Sequence, residues 1–205
     1  MDQLAKIYPI TDTRISRLSH AEQVERLIAG GATLIQLRDK TASPRAFYEA
    51  ALDAIKIARR AGVRIIINDR VDIALAVDAD GVHLGQEDLP PERARALLGE
   101  GRIIGFSTHS PEQALAADSI PVDYIAIGPI FQTTTKENPD KVVGPEMIEY
   151  VKRNVSKPVV AIGGITYERA RTVVDAGADS LAIISSIVAA DDITERMRDL
   201  LNLFR

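Results

Sequence analysis

The amino-acid sequence predicts a single (β/α)8 TIM barrel, an α/β fold, and three observations carry that prediction. Short aliphatic runs alternate with longer helical patterns along the whole 205 residues. The alternation counts to eight, at about 26 residues per unit, and repeated right-handed crossovers between parallel strands close on themselves at that number. Polar clusters follow most of the runs, where the strands of a barrel would end. A doubly wound open sheet shares the alternation and is the structural alternative. The chain is short against the roughly 250 residues typical of the barrel, so few insertions are expected.

The elements follow in order. A first strand is expected over residues 6–12, followed by a helix beginning near Ser19. The second strand, 33–39, precedes a helix over 44–61, in which Ser43 is the N-cap and Pro44 takes the first helical position. The third, 64–67, runs into Asn68, Asp69 and Arg70 and a short helix through Ala76; the fourth, 81–85, precedes a helix over 91–98. The fifth, 102–107, leads to a helix from Ser110, again a cap followed by proline. The sixth, 124–130, is followed by a long polar loop and a helix over 145–153. The seventh, 159–162, meets Gly163 and Gly164, and Thr166 is expected to cap a helix ending at Gly177. The eighth, 180–184, precedes Ser185, Ser186 and a terminal helix over 192–204.

Composition narrows the class. A hydrophobic share of 46% excludes a disordered chain, and with only 4% aromatic residues the core must be built from Ile, Leu, Val and Ala. That suits a parallel sheet buried on both faces. Without cysteine there is no disulfide framework, thiolate zinc site or cysteine nucleophile. A net charge of −4 argues against a general nucleic-acid binder and leaves room for a local anion pocket. The N-terminus lacks the apolar run of a signal peptide, and no later run approaches a membrane span. The expectation is a soluble cytoplasmic protein with one domain over residues 1–205.

The unusual residues cluster at the strand ends. Alternation sends Gln36, Arg38 and Lys40 to one side, expected to be the barrel interior, with Leu37 and Asp39 between them. Two cations there would be costly unless they face an anion, for which phosphate or pyrophosphate is suited; the alternative is a strand end flaring into solvent. Asp69 and Asp88, after neighbouring strands, can share one hard divalent cation such as Mg2+ with substrate phosphate oxygens. Alternatively, Asp69 caps the next helix and Asp88 belongs to a turn before Pro90. Thr133, Thr134, Thr135 and Lys136 offer hydroxyls and a cation to phosphate oxygens, and residues 136–141 read as a polar loop able to close over substrate. Ser107 adds a small polar group at the same mouth. Gly163 and Gly164 after strand seven, with Ser185 and Ser186 after strand eight, occupy the usual phosphate site of such a barrel. Of the three histidines, His20 is expected on the surface, His83 as a satisfied structural residue, and His109 near the mouth without a required role. No Ser-His-Asp arrangement or histidine metal spacing is evident.

Taken together, Gln36–Lys40 (QLRDK), Asn68-Asp69, residues 80–88 (DGVHLGQED), 128–136 (GPIFQTTTK), 161–165 (AIGGI) and Ile184-Ser185 resemble the thiamine-phosphate synthase family. The similarity runs from about residue 7 to residue 187, with the motifs in order at six strand ends. The resemblance implies a TIM barrel that joins 4-amino-2-methyl-5-(diphosphooxymethyl)pyrimidine to a thiazole phosphate, giving thiamine phosphate and pyrophosphate. It implies that Gln36, Leu37, Arg38, Asp39, Lys40, Asn68, Ser107 and Lys136 hold the pyrimidine diphosphate. Asp69 and Asp88 would hold Mg2+; Thr133, Thr134, Thr135, Gly164, Ile184 and Ser185 would hold the thiazole phosphate. Arg38, Lys40 and Lys136 would act with Mg2+ on the leaving pyrophosphate, with no protein nucleophile needed. A homo-oligomer is compatible with this picture. A thiazole tautomerase shares the barrel and the Gly-Gly site, but places a histidine where this chain has Pro129. A sugar-phosphate isomerase or epimerase would need a paired acid and base that His83 with Asp69 supplies poorly. In a non-catalytic regulatory barrel, the diphosphate and metal residues would be free to drift.

Overall fold

Each aliphatic run becomes a strand in the computed structural model, which describes residues 4–133, 135 and 140–204. In chain order the first half comprises β1 (Ile7–Pro9), α1 (Thr13–Ser16), α2 (His20–Ala29), β2 (Leu34–Leu37), α3 (Pro44–Arg60), β3 (Arg64–Asn68), α4 (Val71–Ala76), β4 (Gly81–Leu84) and α5 (Pro91–Leu98). The second half adds β5 (Ile103–Thr108), α6 (Pro111–Asp118), β6 (Tyr124–Ile127), α7 (Pro145–Asn154), β7 (Val159–Ile162), α8 (Tyr167–Asp175), β8 (Ser180–Ile183), α9 (Ser185–Val188) and α10 (Ile193–Asn202). The strands pair in parallel in the order β1-β8-β7-β6-β5-β4-β3-β2. β1 meets β2 through a bridge between Ile10 and Gln36 and an amide of Thr11 donating to the Gln36 carbonyl at 2.9 Å. The sheet is thus a nearly closed (β/α)8 barrel.

The register sorts side chains into two layers. Tyr8, Ile10, Leu34, Ile66, Tyr124, Ala126, Val160 and Ala182 fill the barrel, while Ile35, Leu37, Ile65, Ile67, Val82 and Leu84 pack outward among the helices. Both layers are buried, and each fully buried Leu or Ile contributes roughly 1.5–3 kcal/mol. Three aspartates hold the opposite end of the barrel from the predicted site. Asp80 accepts from the Ile65 amide, Asp123 from Ile104 and Asp179 from Val159, each at 2.7 Å. Each immediately precedes an even-numbered strand and clamps the start of the odd-numbered strand before it. Arg95 and Lys152 balance Asp123 and Asp179 at 2.7 Å.

Several expectations shift. β1 and β2 are shorter than predicted, and β6 stops at Ile127 because Pro129 has no N–H for the ladder. Two four-residue helices, α1 and α9, were not expected; α1 forms because the Asp12 carboxylate accepts from the Arg14 and Ile15 amides at 3.0 and 3.2 Å. Thr166 stands at the N-cap of α8 without bonding its backbone, its hydroxyl meeting Glu168 instead. α8 ends at Asp175, two residues before Gly177. His20 is buried, not on the surface: it opens α2 on the face turned inward, against Thr11 Oγ1 at 2.7 Å and the Phe47 ring. Among the described residues, no helix is long and apolar enough to cross a membrane.

Candidate active site

The ends of β2, β3 and β4 bring charge together. Gln36 is buried on the inward side of β2, and the same alternation carries Arg38 and Lys40 onto the mouth. Arg38 Nη1 pairs with Asp12 Oδ2 at 2.7 Å, which anchors the guanidinium. Its Nε and Nη2 have no hydrogen-bond partner among the described residues. The Lys40 ammonium contacts Asp69 Oδ2 at the end of β3. Asp69 adopts a left-handed backbone (φ 63°) and does not cap α4, whose N-cap is Arg70 without a side-chain bond. Asp88 does organise its turn, accepting from the Gly85 amide at 2.6 Å, yet its carboxyl also lies beside that of Asp69. Burial pushes the Asp88 carboxyl upward, the Gly85 amide opposes, and the charge of Asp69 pushes further in the same direction. Two adjoining carboxyls, of which only Asp69 is paired with the lysine, have room for more positive charge.

Two members of the predicted set turn away. The Leu37 side chain is fully buried in the outer layer, so only its backbone faces the mouth. Asp39 accepts from the amides of Thr41 and Ala42 at 2.9 and 2.8 Å and lies 3.7 Å from His20 Nε2, so it shapes the loop rather than the mouth. This is the period-two alternation acting on both residues. Asn68, at the end of β3 on the inward side shared with Ile66, is nearly buried and pairs in register with His83.

The ends of β7 and β8 lie across the barrel from those of β3 and β4 in the strand order. Gly163 and Gly164 there have φ of 100° and 63°. A Cβ on Gly164 would meet the Gln132 carbonyl oxygen at 2.5 Å, so the tight approach of this turn to the loop after β6 requires glycine. The Gly164 carbonyl accepts from Arg169 Nη1 at 3.0 Å, and that guanidinium lies 4.9 Å above the Phe131 ring. Ile184 follows β8 as the N-cap residue of α9, packed against the interior cluster, and exposed Ser185 begins α9. Thr133 and Thr135 follow β6, linked by the Thr135 amide and Thr133 Oγ1 at 3.3 Å. Thr134 and Lys136 lie outside the described residues.

The floor of the mouth is polar. Ser107 Oγ is 2.8 Å from His83 Nε2, and His83 Nδ1 is 2.9 Å from Tyr124 Oη, so His83 is satisfied on both nitrogens. Burial lowers the His83 pKa to about 4, with Asp69 opposing, which leaves the ring neutral near pH 7. Tyr8, Tyr124, Asp12 and Gln86, whose Nε2 donates to the Ser107 carbonyl at 2.5 Å, escaped sequence reasoning. The usable signal was a hydroxyl-bearing tyrosine inside each of two otherwise aliphatic strands, since a buried Tyr O–H needs a partner. His109 faces the Gly128 carbonyl at 2.7 Å and Asp140 at 3.6 Å, beside the mouth.

This arrangement can hold a diphosphate with a metal on one side and a phosphate on the other. A family model described as thiamine monophosphate synthase matches residues 7–187. A thiamine-phosphate synthase of Chloroflexus aurantiacus is 47% identical over 196 residues, covering 95% of this chain and 90% of that protein. One from Pelotomaculum thermopropionicum is 48% identical over 197 residues, covering 96% and 90%. Among solved structures, a thiamine phosphate pyrophosphorylase from Pyrococcus furiosus superposes with a TM-score of 0.89 at 39% identity, covering 97% of this chain and 94% of that one. On this agreement of sequence and fold, the chain belongs to the thiamine monophosphate synthase family.

Proposed function

We propose that the chain, as one catalytic domain, transfers the pyrimidinylmethyl group of a 4-aminopyrimidine methyl diphosphate to the ring nitrogen of a thiazole phosphate. The products are thiamine phosphate and pyrophosphate. The observation that carries this reading is the contact group of Lys40, Asp69 and Asp88 at one side of the mouth, opposite the Gly163-Gly164 turn and Ser185. The C–O bond to pyrophosphate breaks with its electron pair leaving on oxygen, and the thiazole nitrogen lone pair forms the new C–N bond. The amino group of the pyrimidine supports the positive carbon between those events.

The residues divide the work. Arg38 and Lys40, with Lys136 by family resemblance, supply charge for the leaving group, and Asn68 and Ser107 orient the pyrimidine diphosphate. The Gly164 backbone, Ser185 and the Thr133–Thr135 hydroxyls receive the thiazole phosphate. Asp69 and Asp88 fit Mg2+: two adjoining carboxylates, mutually repulsive, leave the remaining positions to water and phosphate oxygens, as this ion prefers. When bound, Mg2+ neutralises charge on the departing pyrophosphate. Both substrates are phosphorylated, which favours a cytoplasmic site of action. The test is to incubate the protein with both substrates and Mg2+ and quantify products. Equal amounts of thiamine phosphate and pyrophosphate are expected. Isomerised thiazole without pyrophosphate, or no product with either thiazole form, would overturn the proposal.

A further inference from the structure

A chain of side chains crosses the barrel interior from buried Gln36 to Ser107 at the mouth. Gln36 Nε2 donates to Tyr8 Oη at 3.0 Å, and Tyr8 Oη lies 3.0 Å from Tyr124 Oη. Tyr124 Oη lies 2.9 Å from His83 Nδ1, and His83 Nε2 lies 2.8 Å from Ser107 Oγ. The five residues come from β2, β1, β6, β4 and β5, and all but Ser107 are buried. Gly105 leaves the space into which the Tyr124 ring is set.

Counting protons leaves only two arrangements of this chain in which every link is made and no buried hydroxyl proton is left without an acceptor. Each tyrosine brings one hydroxyl proton, and a neutral imidazole brings one N–H. With all three used inside the chain they fill three of the four links, so the fourth proton comes from one end, either the Gln36 amide or the Ser107 hydroxyl. If Gln36 supplies it, every link runs from Gln36 toward Ser107, Nδ1 of His83 accepts, and the ring proton is on Nε2. If Ser107 supplies it, every link reverses, the ring proton moves to Nδ1, and Gln36 must turn its carbonyl to Tyr8. Gln36 presents its nitrogen to Tyr8, which selects the first arrangement.

We infer that Tyr8, Tyr124 and His83 are positioning residues: they hold the His83 proton on Nε2, and Ser107, already accepting from it, gives its own hydroxyl proton to an acceptor atom of the pyrimidine diphosphate. The choice of acceptor rests on the function proposed above; the direction of the chain does not. Ser107 is then a one-way donor at the mouth, and its direction is set by an amide four links away. Such a chain strengthens each bond through its neighbours, so removing a middle member weakens the end.

The direction is tested by nitrogen-detected NMR of the intact protein labelled with 15N-histidine, without substrate, at pH 7. The His83 signals are identified by their loss in His83→Gln. The Nε2–H tautomer is expected, and the Nδ1–H tautomer would overturn the inference. Kinetics test the consequence. Tyr124→Phe should lower kcat/KM for the pyrimidine diphosphate about tenfold, the worth of one hydrogen bond, and leave KM for the thiazole phosphate unchanged. In a Ser107→Ala background the same substitution should cost nothing further. A tenfold loss persisting in that background would refute the positioning role, because Tyr124 would then act other than through Ser107. Unchanged kinetics in Ser107→Ala alone would overturn the contact with substrate, while the tautomer would still decide the chain.

Discussion

Adding one methyl group at Gly105 should disrupt the polar floor of the site from below. A Cβ there would lie 2.0 Å from Tyr124 Cζ and 2.3 Å from its Oη, where ordinary carbon contacts settle near ~3.5–4.0 Å. The tyrosine ring must therefore move by more than about 1 Å to relieve the overlap. That displacement takes Tyr124 Oη away from both Tyr8 and His83, now at 3.0 and 2.9 Å. Overpacking costs roughly 1–3 kcal/mol, and two buried hydrogen bonds add about 1 kcal/mol each. The sum, about 3–5 kcal/mol, is a large part of the ~5–15 kcal/mol that holds a domain together. Guanidinium unfolding followed by circular dichroism measures it, with an unchanged m-value expected. In a Tyr124→Ala background the extra methyl should enter vacated space, giving a coupling above ~2 kcal/mol. A Gly105→Ala protein within ~1 kcal/mol of the parent, or strict additivity with Tyr124→Ala, would refute the reasoning.

Three further outcomes follow from the same geometry. Asp123→Ala removes the acceptor of the Ile104 amide and the partner of Arg95, both at 2.7 Å, and should destabilise by about 2–3 kcal/mol in denaturant titrations without changing KM for either substrate. His20, held below its ordinary pKa of 6.5 by burial against the opposing charges of Asp39 and Asp12, resists protonation in the fold while the unfolded chain does not. Stability should therefore be full above about pH 6.5 and fall as the pH drops below it; His20→Asn should flatten that slope, and an identical slope would contradict the assignment. Gly164→Ala, at φ 63° and 2.5 Å from the Gln132 carbonyl oxygen, should raise KM for the thiazole phosphate while sparing KM for the pyrimidine diphosphate in steady-state assays.

The barrel was readable because its signals are local. Ser19, Ser43 and Ser110 cap helices as serine should, and the aliphatic runs are too short and too apolar for surface helices. The facing of those strands was less readable. The strands LIQL and YIAI are buried on every residue, so exposure does not mark which side enters the barrel, and only single polar residues such as Gln36 do. Tyr8 and Tyr124 were thus passed over, although their hydroxyls meet across the interior. Nothing local marks Asp80, Asp123 and Asp179 as clamps, because their partners are amides at the start of another strand. At the mouth, Lys40, Asp69 and Asp88 come together as their strand-end positions suggested. Leu37 and Asp39 were carried along with a contiguous motif whose side chains alternate outward. His20 was misread because a helix start does not say which way its first residue faces.

The division of the mouth into a diphosphate side and a phosphate side is tested most directly by steady-state kinetics with both substrates and Mg2+ varied, on Asp88→Ala and Ser185→Ala in parallel. Asp88→Ala should raise the Mg2+ requirement and KM for the pyrimidine diphosphate and leave KM for the thiazole phosphate near that of the parent. Ser185→Ala should do the reverse. If Asp88→Ala keeps the parent's Mg2+ dependence, or if Ser185→Ala changes KM for the diphosphate alone, the account of this mouth is wrong.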